Sequence, residues 1–269
     1  MSIQTAIQNA QQKVANAYTA ISEKGGTLPA TQNLSNLPAA IESISGGGVG
    51  IPREVSPTGV FQMPATSFTF SLPSNAKDIS SYALSDAFRE CKGLTSVDLS
   101  SLSTISGANA FEYAFYNCTS LTSVDLSSLS TIRGNYALSY TFYKCTSLTS
   151  VDLSSLSTIS NIYAFQNTFR ECTSLTSVDL SSLSTISARY ALRYAFTSCT
   201  NLKELSFPAL TSKSFGSINN QFNYLLSGVT GCTVHFPSNL KSVIGSWSDV
   251  TSGFGGKNTT VLFDLPATT

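Results

Sequence analysis

Four aspartates that recur at one position of the sequence are the first candidates for chemistry. Asp98, Asp125, Asp152 and Asp179 are each separated by 27 residues. If each lies on a strand that stacks on the next one, the carboxylates form a ladder with rungs about 5 Å apart. Hard cations prefer such oxygen ligands, and carboxylate pairs roughly 5–10 Å apart serve glycoside hydrolysis. The alternative is a structural ladder in which neighbouring Ser and Thr hydroxyls offset the repulsion.

The remaining reactive side chains favour structure over catalysis. His235 is the only histidine and lies in a predicted strand near the C-terminus, where we expect a structural role. Five of the six cysteines, Cys91 to Cys199, share the 27-residue spacing, which indicates equivalent buried positions for a small apolar side chain. No Cys-x-x-Cys or Cys/His spacing predicts zinc. We therefore expect no catalytic residue, no metal and no cofactor.

A sequence repeat positions these residues. Residues 65–199 divide into five units of 27, and the segment TSLTSVDLSSLSTI is unchanged at 119–132, 146–159 and 173–186. Within each unit Val-Asp-Leu predicts a short strand. The second half, such as residues 136–145, predicts a short helix with one buried face and a stack of phenylalanines that includes Phe142. Degenerate units at both ends indicate a capped solenoid.

The repeat resembles the BspA-like leucine-rich repeat family of bacterial surface and phage proteins. Leu-Thr-Ser-Val-Asp-Leu, then Ile, then Ala-Phe or Ala-Leu, then Cys-Thr-Ser-Leu carry the resemblance over residues 65–210, although the 27-residue unit is longer than the commoner form. The resemblance implies an α/β solenoid of short parallel strands and short helices, used for adhesion and binding. It does not name a ligand.

The flanking segments predict three further regions. In residues 1–24 apolar side chains from Ile3 to Ile21 alternate in steps of four and three, which favours either a self-associating coiled coil or packing onto the next segment. Residues 1–45, with Gly25-Gly26-Thr27-Leu28-Pro29, look like a short helical module of phage tail and baseplate proteins. Residues 46–64 are a predicted linker, and residues 211–269 a predicted α+β cap with strands at 233–236 and 260–263.

The repeats differ from one another mainly in their predicted helical half, on the face away from the core. Tyrosine, Asn and Arg on a rigid lattice are typical of a binding surface, because Tyr gives a large contact area at low entropic cost. The first column of the lattice is also explained as a packing ladder, Tyr82, Tyr136, Tyr163 and Tyr190, interrupted at Asn109. The predicted ligand-binding residues are Asp86, Arg89, Glu112, Tyr113, Tyr116, Tyr136, Tyr140, Tyr143, Tyr163, Gln166, Asn167, Arg170, Tyr190, Arg193 and Tyr194.

Composition limits the classes of partner. The chain has 269 residues with 15 basic and 15 acidic side chains and a net charge of zero, so no electrostatic signature of nucleic-acid binding is present. No run of about 18 apolar residues predicts a membrane span. Residues 1–24 lack the basic start and apolar core of a secretory signal. The 42% hydrophobic content is sufficient for a folded core.

Together these features predict a non-enzymatic binding protein. The specific hypothesis is a phage tail adhesin or receptor-binding component on the virion that contacts a bacterial cell-surface protein or glycan. One alternative is a bacterial surface or effector leucine-rich repeat adhesin, located in the cytoplasm or at the cell surface by a non-Sec route. A tail-spike glycan hydrolase is a third hypothesis.

Overall fold

The chain forms a parallel β-solenoid. The computed structural model describes residues 68–72, 74, 77–215 and 220–268. Twelve strands in those residues all pair in parallel with neighbours from adjacent units. They are β1 Phe68–Ser71, β2 Leu94–Asp98, β3 Thr104–Ile105, β4 Ser123–Asp125, β5 Thr131–Ile132, β6 Ser150–Asp152, β7 Thr158–Ile159, β8 Ser177–Asp179, β9 Thr185–Ile186, β10 Glu204–Ser206, β11 Thr233–Pro237 and β12 Thr260–Leu265.

Three parallel sheets run along the coil. The first has the order β1-β2-β4-β6-β8, and the second, made of two-residue strands, has the order β3-β5-β7-β9. Equivalent residues of successive units pair directly, for example Val97 with Val124 and Ile105 with Ile132. The 27-residue sequence period is therefore one turn of the coil, and the predicted strand at Val-Asp-Leu is confirmed.

The predicted short helix in each unit is wrong. Between Phe68 and Pro237 the described residues contain no helix. Residues 136–145 instead form consecutive turns in which amide donors alternate between two kinds of acceptor. Ser139 N donates to Tyr136 O (3.0 Å) within the unit, whereas Leu138 N donates to Ala164 O (2.8 Å) in the next unit. Half of the amides thus form a ladder along the coil axis. The α/β assignment does not describe this solenoid.

The thickness of a helix explains this difference. Neighbouring strands stack about 4.8 Å apart, whereas an α-helix with its side chains is about 10–12 Å wide. A unit with one strand and one helix could stack only by curving strongly. The consecutive turns of each unit, such as residues 136–145, form a flat segment that we call the turn ribbon. The turn ribbon is about as thick as one strand, so both sides of a unit stack at the same spacing.

The ribbon places a residue in the left-handed region at every fourth position. Tyr136, Tyr140 and Lys144 have φ values of 53°, 55° and 60°. This conformation costs an L-residue roughly 1–2 kcal/mol, and Asn tolerates it better than most residues, consistent with Asn109 and Asn167 at equivalent positions (φ 56° and 52°). Each of the three amides in this unit donates to a carbonyl of the next unit, which offsets the strain.

The core contains the side chains that the sequence predicted. The face of 136–145 that carries Ala137, Leu138, Thr141, Phe142 and Cys145 is fully buried. The predicted phenylalanine stack is confirmed: Phe88, Phe115, Phe142, Phe169 and Phe196 lie 5.4–5.7 Å apart, centroid to centroid, with nearly parallel rings. Hydroxyl groups complete the packing, since buried Thr141 and Thr168 each donate to a carbonyl of the preceding unit at 2.8 Å.

The C-terminal strands extend the parallel stacking. The third sheet has the order β10-β11-β12, so the predicted strands at 233–236 and 260–263 are confirmed. A 3-10 turn Ser238–Leu240 leads into helix α1 Lys241–Ile244, and helix α2 Ser248–Thr251 is followed by a 3-10 turn Gly253–Gly255. The predicted N-terminal helices and coiled coil in residues 1–45, and the linker at 46–64, lie outside the described residues.

A candidate binding face of stacked tyrosines

The turn ribbons present three columns of side chains, which together we call the aromatic face. In the first column Tyr136, Tyr163 and Tyr190 stack at centroid distances of 5.1 and 5.2 Å. The sequence left open whether this column is a packing ladder or a binding element. The rings do stack on one another, and all three remain partly exposed.

The second and third columns also stack. In the second column Tyr113 and Tyr140 lie 4.7 Å apart with an interplanar angle of 10°. In the third column Tyr116 and Tyr143 lie 4.9 Å apart with parallel rings. Tilted contacts at 5.8 and 5.9 Å join the two columns within each unit. Such ring pairs contribute roughly 0.5–1.5 kcal/mol each beyond the burial of their area.

Guanidinium groups cover both ends of the third column. Arg89 Cζ lies 4.7 Å from the Tyr116 ring centroid, and Arg170 Cζ lies 5.7 Å from that of Tyr143. Both arginines have carboxylate partners, because Arg89 pairs with Asp86 at 3.0 Å and Arg170 with Glu171 at 3.6 Å. This part of the face is therefore neutralised locally.

Burial and neighbouring charges raise the pKa of two groups on the face, the Tyr143 phenol and the Glu112 carboxyl. The Tyr143 hydroxyl donates to Glu171 Oε1 at 2.6 Å, and burial followed by this hydrogen bond raises the pKa of Tyr143 to about 12. Burial also raises the pKa of Glu112, although its hydrogen bond from Asn109 acts in the opposite direction. Both shifts reflect a partly desolvated surface.

The structure places the predicted site residues on one surface with one exception. Fourteen of the fifteen predicted residues are partly exposed, whereas the Asn167 side chain is only 1% exposed. Asn167 was predicted to be accessible because the helical projection placed it there. Its backbone conformation matches that of the partly exposed Tyr140 (φ 52° and 55°), so the shorter Asn167 side chain is covered by its neighbours, and Arg170 Nη1 lies 3.4 Å from its side-chain oxygen.

Sequence reasoning missed Tyr224, which continues the second column. Its ring stacks on Tyr194 at 5.1 Å, and Tyr224 is 47% exposed. It lies 30 residues after Tyr194, so the 27-residue period does not find it. The signal that finds it is the apolar frame, since Phe222 precedes and Leu225-Leu226 follow Tyr224 as Leu192 and Ala195-Phe196 flank Tyr194.

The stacking determines what the aromatic face offers to a ligand. The faces of the inner rings are covered by neighbouring rings, so phenol hydroxyls and ring edges remain accessible. Ring edges are electropositive, and hydroxyls donate and accept hydrogen bonds. The face therefore suits polar or anionic groups that lie along the columns better than a ligand that must stack on a free ring face.

The aspartate ladder forms a separate surface on the strands. Asp98 pairs with Asp125, Asp125 with Asp152 and Asp152 with Asp179 in register, and all four are exposed. Each carboxylate accepts the amide of the residue two positions later, at 2.9–3.0 Å. Hydrogen bonds from the Ser100 side chain and amide lower the pKa of Asp98, and Ser154 does the same for Asp152. Hydroxyls of Ser100, Ser127 and Ser154 therefore supply part of the expected compensation, and backbone amides supply the rest.

The other candidate side chains have structural contacts. His235 Nδ1 lies 2.9 Å from both carboxylate oxygens of Asp264, so the histidine links β11 to β12. All six cysteines are free and buried, and the thiols of Cys145 and Cys172 donate to carbonyls of Phe115 and Phe142. Within the described residues no group of three or more His, Cys, Asp or Glu side chains is arranged to hold a metal ion.

Helices in the described part of the chain are all too short to cross a membrane. The longest of them, α1 and α2, have four residues each.

Solved structures of bacterial leucine-rich repeat proteins are similar to this chain over most of its length. They include the Treponema pallidum leucine-rich repeat protein (21% identity, 72% of this chain and 87% of the other, TM-score 0.34). A leucine-rich repeat protein of Bacteroides ovatus follows (20% identity, 72% and 66%, TM-score 0.22), as does a leucine-rich cell surface protein of Faecalibacterium prausnitzii (12% identity, 73% and 88%, TM-score 0.23). No curated protein matches the chain.

The repeats themselves match a family model. The model of the BspA type leucine-rich repeat region, with six copies, matches residues 58–168 and 113–246. These matches together span more than half of the chain and include most of the described coil. Proteins of this kind are generally surface or binding proteins. The chain therefore belongs to the BspA type leucine-rich repeat family.

Proposed function

We propose that the chain is a non-enzymatic adhesin whose aromatic face binds a bacterial cell-surface ligand. The observation that carries this proposal is the set of stacked columns, in which Tyr113, Tyr140, Tyr116 and Tyr143 form a continuous group of rings with centroids 4.7–5.9 Å apart. A surface fixed in this way loses little conformational entropy on binding.

The distribution of sequence variation supports the same surface. Residues of the strands are nearly identical among units, whereas Asp86, Tyr113, Tyr140, Asn167 and Tyr194 differ at one equivalent position. The backbone at this position is the same in every unit, with φ between 52° and 56°. The fold thus holds a constant frame while the chemistry of the face changes from rung to rung.

The experiment replaces hydroxyls without removing rings. Tyr140→Phe and Tyr194→Phe in one chain keep the stacking, because each phenylalanine ring occupies the same place. We expect labelled wild-type protein to stain cells in a panel of bacteria by flow cytometry, and the double variant to stain them about tenfold less, since two hydrogen-bonding groups are lost.

The control carries Asp125→Asn and Asp152→Asn on the strand surface. This variant should stain cells as the wild type does, and all three proteins should unfold at nearly the same temperature. Equal staining by the phenylalanine variant, or loss of staining by the asparagine variant alone, would place the binding surface elsewhere.

The finer proposal is a phage tail receptor-binding component. It is supported by the sequence pattern of residues 1–45, which lies outside the described residues, and a bacterial surface adhesin remains the alternative. Deletion of residues 1–45 should reduce the oligomeric mass measured by light scattering if residues 1–24 self-associate. An unchanged mass would refute self-association through this segment.

The hydrolase hypothesis predicts a different result. Incubation of the full chain with the polysaccharide of a stained bacterium should release no reducing ends if the protein only binds. Release of reducing ends would replace the adhesin by an enzyme.

A further inference from the structure

Two arginines at the C-terminal end of the aromatic face share one tyrosine. Arg189 Cζ lies 5.4 Å and Arg193 Cζ 5.2 Å from the Tyr190 ring centroid. Arg193 also lies 4.9 Å from the Tyr194 centroid. Both guanidinium groups therefore border the Tyr190 ring, and Arg193 also borders the Tyr194 ring.

These arginines differ from the other two arginines of the face. Arg89 and Arg170 are each paired with a carboxylate. In the part of the chain that the structure describes, no carboxylate lies within 4.0 Å of Arg189 or Arg193. Two positive charges thus border Tyr190 with no ion-pair partner among the described residues.

Arg193 also has an unsatisfied donor. Its Nε is buried, and no hydrogen-bond partner lies within reach in the described residues. A buried polar group without a hydrogen-bond partner destabilises the folded state. Arg170 Nε is also buried without a hydrogen-bond partner, and a ligand oxygen reaches either nitrogen only if the arginine side chain rotates.

We propose that Arg189 and Arg193 bind the carboxylate of an acidic glycan, with the Tyr190 and Tyr194 hydroxyls contacting the sugar. This inference rests on the proposed function of the aromatic face and specifies its ligand class. The planar guanidinium fork matches a carboxylate in two-point geometry. Phenol hydroxyls beside it match the hydroxyls of a sugar ring.

The composition of the surface favours a glycan over a protein. The core of a protein interface is typically apolar, but the large apolar side chains exposed in the described residues are limited to Tyr82, Tyr224 and Leu262. Leu262 belongs to β12 and not to the aromatic face. The surface around Arg189 and Arg193 therefore provides mainly charge and hydroxyls, and the aliphatic Ile162, one turn before Arg189, is only partly exposed.

The opposite end of the face sets the orientation of the ligand. At that end three acidic residues accompany one arginine: Asp86, Glu90 and Glu112 with Arg89. At the C-terminal end three arginines accompany one acidic residue: Arg170, Arg189 and Arg193 with Glu171. Like-charge repulsion disfavours a carboxylate at the first end. We therefore expect the acidic group of the ligand at the end near Tyr190.

The test measures binding of the full chain to polygalacturonate, to its methyl ester and to poly-L-glutamate. The ester carries the same sugar without charge, and the polypeptide carries the same carboxylates without sugar. We expect polygalacturonate to bind at least about tenfold more tightly than either, and to bind more weakly as salt is raised. Equal binding of the ester, tighter binding of poly-L-glutamate, or no binding of polygalacturonate would overturn the proposal.

Substitutions of the two arginines test whether they form the binding site. Arg189→Gln with Arg193→Gln should weaken polygalacturonate binding at least about tenfold, whereas Arg193→Lys should have an intermediate effect because it keeps the charge and loses the fork. The control pair Arg133→Gln and Lys241→Gln removes the same net charge at exposed positions away from Tyr190 and should bind like the wild type. Equal loss in the control would show general charge attraction and refute the site.

Cell staining separates this inference from the proposed function. If the phenylalanine variant loses cell staining and the double arginine variant keeps it, the aromatic face binds its ligand and the acidic-glycan assignment is wrong. If neither variant loses staining, the proposed function fails as well. Unfolding temperatures measured for every variant identify any loss that comes from misfolding.

Discussion

The Tyr143 hydroxyl donates a 2.6 Å hydrogen bond to the carboxylate of Glu171, which belongs to the next turn of the coil. Lys144 Nζ lies 3.7 Å from the other oxygen of the same carboxylate, so Glu171 connects a ring and a cation of the preceding unit. This contact joins two variable positions across a unit boundary. It shows that the side chains of the aromatic face are organised between turns as well as within them.

The first prediction concerns the ionisation of Tyr143. Burial and then the Glu171 carboxylate raise the pKa of this phenol to about 12, so Glu171→Gln should lower the pKa toward the ordinary value of about 10. Burial persists in the variant, so the pKa should stay above 10. Absorbance at phenolate wavelengths during a pH titration measures it, and Tyr143→Phe identifies the transition. An unchanged pKa would mean that burial alone causes the shift.

The same shift predicts a pH dependence of stability. The folded-state pKa of Tyr143 is raised, so its contribution to the free energy of unfolding is full below pH about 10 and is lost as the pH rises towards about 12. Glu171→Gln should reduce the decrease in the free energy of unfolding over this pH range. Denaturant titrations of both proteins across this range provide the measurement.

A second prediction tests the backbone strain of the turn ribbon. Ser198 has a φ of 59°, and the corresponding residue one turn later, Gly228, has a φ of 76°. Ser198→Gly should raise the free energy of unfolding by about 1 kcal/mol, because glycine adopts this conformation without a Cβ clash. Ser182→Gly, at an exposed position without a positive φ, should lower it instead. Destabilisation by both changes would argue against stored strain.

A third prediction concerns the thiols. Burial raises the pKa of Cys91 to about 12 and that of Cys232 to about 11, and the four cysteines between them are buried with raised pKa values as well. Because the thiolate is the reactive form, an aromatic disulfide reagent should modify no thiol of the native chain at mildly alkaline pH. All six should react after denaturation. Fast reaction of the native protein would contradict the buried cysteine column.

The fourth prediction concerns the phenylalanine stack. Phe142 is fully buried between Phe115 and Phe169, with centroids 5.4 Å from each. Phe142→Ala should cost about 3–5 kcal/mol through lost burial and a cavity. Phe142→Leu keeps most of the volume and should cost about 1–2 kcal/mol. Denaturation followed by circular dichroism ranks the two, and equal costs would mean that the site collapses around the smaller side chain.

The helix prediction failed for a reason visible in residues 137–145. The buried residues at 137, 138, 141, 142 and 145 fit a helix of 3.6 residues per turn and also fit a ribbon with a period of four. Nine residues are too few to separate the two periods. Stacking separates them, because a helix does not fit within the spacing of neighbouring strands.

The sequence by itself determined the period, the parallel strands, the buried face and the phenylalanine stack, because each repeats in every unit and identical units bury identical side chains. Only the tertiary structure decided the turn ribbon, the burial of the Asn167 side chain, the addition of Tyr224 and the carboxylate partners of the arginines. These features depend on contacts between successive turns, where amides, rings and charges of one unit meet those of the next. The distance between stacked turns sets these contacts, and the order of residues along the chain does not specify that distance.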